Sequence, residues 1–172
     1  SIALDSNTTG SSNIAVGRDA LGANTTGASN TAISQSTLSN NVDGNNNTAV
    51  GKSAMTTSTD ADDCTAMGYA ALYSLTTGGY NTAFGFQAGY NISTGTGNVL
   101  LGYKAGQDQI TTGGNLLYIA HSNTGAGNAA TWIYGNSSGA CYQGNNSSSW
   151  STTSDRRLKK NIVDNTKGLA EI

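Results

Sequence analysis

Proline is absent from the 172 residues, and charged side chains make up only 10% of them. About 5% proline and 25% charge are usual in a globular domain. The missing proline excludes collagen and polyproline rods. No apolar run exceeds a few residues, so no stretch reads as a membrane-crossing helix and no membrane insertion is expected. Residues 1–10 lack a basic start and an apolar core, so they do not read as a secretory leader. With a net charge of −2 there is no electrostatic case for nucleic acid or an anionic membrane. One histidine, His121, cannot build a His-based metal site. Cys64 and Cys141 lie too far apart in sequence for a metal motif or a disulfide framework, and both read as free thiols. No metal or cofactor is expected.

What is present is Asn, Ser, Thr and 23 Gly, with 36% apolar residues. That composition suits either a disordered linker or a solenoid with an amide and hydroxyl surface. The order of residues separates the two. The segment Asn13-Ile14-Ala15-Val16-Gly17 returns as Asn30-Thr31-Ala32-Ile33-Ser34 and as Asn47-Thr48-Ala49-Val50-Gly51. It continues as Cys64-Thr65-Ala66-Met67-Gly68 and Asn81-Thr82-Ala83-Phe84-Gly85. Looser copies start at Asn98 and Asn115, so seven copies follow one another at 17-residue steps. A linker has no reason to keep such a period.

Within each copy the third position is small and the fourth is large and apolar. A second apolar spot follows four positions later, as in Ala20-Leu21, Thr37-Leu38, Ala54-Met55 and Ala71-Leu72, and becomes Ala88-Gly89 and Ala105-Gly106. The remainder is turn chemistry, such as Thr25-Thr26-Gly27 and Thr77-Gly78-Gly79. Seventeen residues are too few for a helix pair and fit one coil of a parallel β-solenoid. Coils stacked about 4.8 Å apart place each residue against its counterpart one repeat on. The expected repeat core is the fourth-position row: Val16, Ile33, Val50, Met67, Phe84, Leu101 and Tyr118. Third- and fourth-position side chains must point to opposite sides of a strand. One set can fill the coil, and the other then needs cover from further copies of the chain.

The Asn-x-Ala-hydrophobic-Gly cores at 13–17, 47–51 and 81–85 resemble the head repeats of trimeric autotransporter adhesins of the YadA type, and the phage tail-fibre shafts that carry such repeats. The resemblance covers roughly residues 13 to 120. It implies an all-β, trimeric parallel β-solenoid, wound as a left-handed β-roll. Near the end, Ser154-Asp155, Lys159 and Asn161-Ile162 resemble the opening of the endosialidase-type intramolecular chaperone (peptidase S74). In that family a Ser–Lys dyad cuts the chain at the Ser, which would assign Ser154 and Lys159. The helical body that the chaperone needs does not follow before Ile172, so no active self-cleavage is expected here.

The organisation expected is a lead-in (1–12), solenoid repeats (13–130), an aromatic cap and Ser/Asn-rich linker (131–153), and a truncated chaperone start (154–172). Trp132, Tyr134, Tyr142 and Trp150 would plug the end of the apolar core, since solenoids need capped ends. The function implied is structural: a homotrimeric tail-fibre segment of a virion, supporting attachment to a host receptor that is a glycan or a protein. The alternative is an adhesin on a bacterial cell surface that binds host glycan or matrix. An independent enzyme is not expected, because carboxylates are few and Gly95-Thr96-Gly97 falls in a repeat turn rather than a phosphate loop.

Overall fold

A computed structural model describes residues 2–108, 111–121 and 131–143. It shows a β-solenoid. Six short strands stack in parallel: β1 (Ile14–Val16), β2 (Thr31–Ile33), β3 (Thr48–Val50), β4 (Thr65–Met67), β5 (Thr82–Phe84) and β6 (Val99–Leu101). A seventh, β7 (Leu117–Ala120), joins β6 in parallel. Then β8 (Thr131–Gly135) and β9 (Cys141–Gln143) add antiparallel, giving one sheet in sequence order. No helix occurs among the described residues. Coils one to six begin at residues 13, 30, 47, 64, 81 and 98.

Hydrogen bonding between coils runs well beyond these strands. In coil two, the N–H groups of Ser34, Ser36 and Leu38 donate to the carbonyls of Val16, Arg18 and Ala54, at 2.7, 2.8 and 3.0 Å. The stacking also reaches below the first full coil: Leu4 N–H donates to Ala20 O and Thr8 N–H to Thr25 O, both at 3.0 Å. Residues 4–10 thus hydrogen-bond to the first coil.

The interior is set by two kinds of row. Third-position residues of the strand face in: Ala32, Ala49, Ala66, Ala83 and Leu100 are fully buried. Opposite them lie consecutive buried pairs, Ala20-Leu21, Ala54-Met55 and Ala71-Leu72. An extended strand alternates sides, so two neighbours cannot both face inward. The left-handed backbone at Leu21, Leu38, Met55 and Leu72, with φ of 50–51°, breaks the alternation. That conformation costs a leucine about 1–2 kcal/mol, and burial of its side chain returns about 1.5–3 kcal/mol.

The expected fourth-position core is corrected here. Val16 is 57% exposed, and Ile33, Met67 and Phe84 are 37–40% exposed; Val50 and Leu101 are partly covered. This row lines the outside of the sheet. The coil interior is already filled by the alanine row, the leucine row facing it and further buried side chains such as Leu75 and Ile92. Tyr118 is buried, but for another reason. The last step is 18 residues, not 17, because Val99 pairs with Leu117 and Leu100 with Tyr118. The offset is present by Thr111: Asn91 bonds Asp108, 17 residues on, while Ser93 bonds Thr111, 18 residues on. Tyr118 thus sits in the inward third row, and Leu116, not Asn115, takes the first position.

Beyond β7 the aromatic side chains divide between inside and outside. Tyr134 packs against the core between Tyr118 (4.9 Å between ring centres) and Tyr142 (6.0 Å). Trp132 instead lies outside, 61% exposed, stacked on His121 at 5.6 Å. Trp150 and all of residues 144–172 lie outside the described residues.

One exchange of volume inside the coil is directly testable. Where the leucine row becomes Gly89, the alanine row becomes Leu100, and a side chain on Gly89 would collide with Leu100, Leu72 and Ile92. Leu100→Ala should destabilise by about 2–5 kcal/mol, and Gly89→Leu by overpacking. The double variant should recover at least ~2 kcal/mol relative to the sum of the two. Urea unfolding of the four proteins measures this.

Candidate interaction surface

Two amide ladders hold the coils in register, and they decide which surfaces remain for function. In the first, each Asn that opens a coil accepts from the first N–H of the next coil and donates to a carbonyl near the end of its own coil. Asn30 Oδ1 accepts from Asn47 N–H at 3.0 Å, and Asn30 Nδ2 donates to Gly44 O at 2.7 Å. The row comprises Asn13, Asn30, Asn47, Asn81 and Asn98, with Cys64 as its one substitution. The Cys64 thiol donates to Gly78 O at 3.4 Å in place of the amide. Burial pushes this thiol up to about 11 from the ordinary 9.0, with the nearby Asp63 and Asp62 carboxylates adding in the same direction.

The second ladder was not anticipated, although its recurrence is visible in the sequence as Asn7, Asn24 and Asn41. Asn24 Nδ2 donates to Asn7 Oδ1 and Asn41 Nδ2 to Asn24 Oδ1, both at 2.8 Å. Ser58 is too short to continue it. Asn41 Oδ1 and Ser58 Oγ are both buried and make no hydrogen bond within the protein. Above Ser58 the row turns apolar as Leu75 and Ile92.

While these ladders occupy the interior, the coil leaves a large apolar surface outside. On the strand it carries Ile14, Val16, Ile33, Met67, Phe84 and Val99, with a threonine rank (Thr31, Thr48, Thr65, Thr82) between them. Two residues beyond the fourth position lies a ring row, Tyr69, Phe86 and Tyr103. Its centres are 5.2 and 5.5 Å apart and its planes are within 14°. These nine apolar side chains are each 37–57% exposed. Side chains of this size cover about 150–250 Å², so together they leave on the order of 800 Å² uncovered. The largest apolar patch on a typical monomer is roughly 300–600 Å². A standard stable interface buries roughly 800 Å² per partner.

The glycine row between strand and ring row is a packing requirement. Gly51, at φ 126°, lies so close to the Gly68 carbonyl that any side chain there would collide with backbone. Ser34 occupies the same row at φ 117° and bears the strain.

Among the described residues, no group of three or more His, Cys, Asp or Glu side chains is placed to hold an ion. Asp62 and Asp63 are used locally: Asp62 accepts from Asn45 N–H at 2.6 Å and Asp63 from Asn46 Nδ2 at 3.1 Å. Ser154 and Lys159 lie outside the described residues. No helix among the described residues is long and apolar enough to cross a membrane. Comparison of the chain with models of known families, with curated proteins and with solved structures gives no match.

Two outcomes follow from the ladders. Ser58→Asn should supply an amide to Asn41 Oδ1 and raise stability by about 1–2 kcal/mol, read as a shift in urea midpoint. Because folding raises the Cys64 thiol pKa, its contribution is complete below pH 9 and is lost as pH climbs from 9.0 to about 11. Tyr118, raised by burial from 10.0 to about 12, extends the loss in the same direction. Stability should therefore be flat near neutrality and fall across pH 9–12. At pH 8 iodoacetamide should label the exposed Cys141 in the native protein, and Cys64 only after denaturation.

Proposed function

We propose that this chain is a structural fibre segment, working as a homotrimer of solenoids in a phage tail fibre that supports attachment to the host. The observation that carries the reading is the uncovered apolar stripe on the strand. It is too extensive for a chain that works alone in water. Its rows repeat once per coil, so the partner that fits best has rows of the same period, which another copy of this chain provides. The number three comes from the likeness of the Asn-x-Ala-hydrophobic-Gly cores to trimeric head repeats.

The rod form also suits the role. Stacked coils spaced about 4.8 Å apart make a stiff column roughly 30 Å long, with hydrogen bonds along its axis. The virion reading is preferred to a bacterial surface adhesin because Ser154-Asp155, Lys159 and Asn161-Ile162 resemble a fibre chaperone that follows such repeats. On this reading the protein acts through shape and adhesion, outside the cell, and turns over no substrate.

Sedimentation equilibrium at micromolar concentration tests it. The expected mass is three times the 17.4 kDa of the chain. A well-folded monomer would refute the proposal. Phe84→Asp, which puts a charge on the exposed row while sparing the coil interior, should shift the trimer toward monomer and leave the β-sheet circular dichroism unchanged.

A further inference from the structure

We infer that contact between copies is anchored in coils four to six, by the stacked ring row Tyr69–Phe86–Tyr103, and that coils one to three form the weaker end of the interface. The inference rests on the self-association proposed above and adds where its strength lies.

The row that carries the rings changes character along the rod. It reads Arg18, Gln35, Lys52 in coils one to three and Tyr69, Phe86, Tyr103 in coils four to six. Arg18 is 64% exposed and meets Asp19 only at 3.8 Å, so covering it would strip water from a charge with little compensation. Lysine is depleted in interface cores, while Tyr, Phe and Met are enriched there. The neighbouring fourth-position row changes in the same sense, from Val16, Ile33 and Val50 to Met67, Phe84 and Leu101.

The rings are also pre-ordered. Each is stacked on a ring in an adjacent coil, yet remains 41–51% exposed. Ordering a mobile side chain costs an interface about 0.5–1.5 kcal/mol, and most of that loss has already been taken here during folding. A second stack, Tyr73 on Tyr90 at 4.9 Å, stiffens the same coils. Large, rigid, half-exposed aromatics are the side chains on which binding energy concentrates. The occupant is a second copy of this chain, because the exposed apolar area matches what one partner buries in a stable interface and because the face repeats with this chain's own period.

The test compares three single variants by sedimentation equilibrium, each checked by circular dichroism. Phe86→Ser in coil five should weaken self-association by roughly 30-fold or more. Val16→Ser in coil one removes a still more exposed side chain and should weaken it by less than roughly 5-fold. Lys52→Tyr should extend the ring stack by one coil and strengthen association, which tests the idea without relying on a disruptive change. Val16→Ser acting as strongly as Phe86→Ser, or Lys52→Tyr weakening the assembly, would overturn this inference alone. A wild-type monomer would remove the proposed function as well.

Discussion

Each residue of this chain must be compatible with itself. The hydrogen bonds between coils put residue i against residue i + 17, so every position becomes a row of side chains about 4.8 Å apart that must fit one another. Rows that tolerate their own repetition are few. Asparagine works because it carries an acceptor and a donor on one planar group, so Asn30 can satisfy Asn47 N–H and Gly44 O together. Alanine works facing leucine because their volumes fill a thin coil. Aromatic rings work because they stack, as Tyr69, Phe86 and Tyr103 do. Charge repeats badly, which accounts for the low charged fraction.

The same constraint explains how the rod tolerates variation. A change in one row is matched by a change in the row across the coil, as when Gly89 faces Leu100. Where matching fails the structure shows it: Asn41 Oδ1 and Ser58 Oγ face an interrupted ladder with no partner. The end of the parallel stack is likewise marked by a local departure, an 18-residue step that turns Tyr118 inward to meet Tyr134 of the antiparallel hairpin. A ring fills the section of the coil that would otherwise open to solvent.

Thinness links fold to function. A 17-residue coil can bury one face of its strand and one leucine row, and the other strand face stays apolar and wet. On the function proposed above, covering that face is what association with further copies of the chain would achieve.

The repeat period, the stacking of coils and the positions of the Asn and turn residues were legible in the sequence, because periodicity survives translation into a solenoid row by row. The direction of the strand side chains was not. Alternation says that Ala49 and Val50 face opposite ways but is symmetric between inside and outside. What broke the symmetry was the left-handed backbone at Leu21, Leu38, Met55 and Leu72. It folds the leucine row across the coil and leaves room opposite for alanine only, and no local pattern announces a positive φ at leucine. The one-residue offset that buries Tyr118 was hidden for a related reason. Asn115-Leu116-Leu117 reads equally well in two registers, and only the pairing of Val99 with Leu117 selects one.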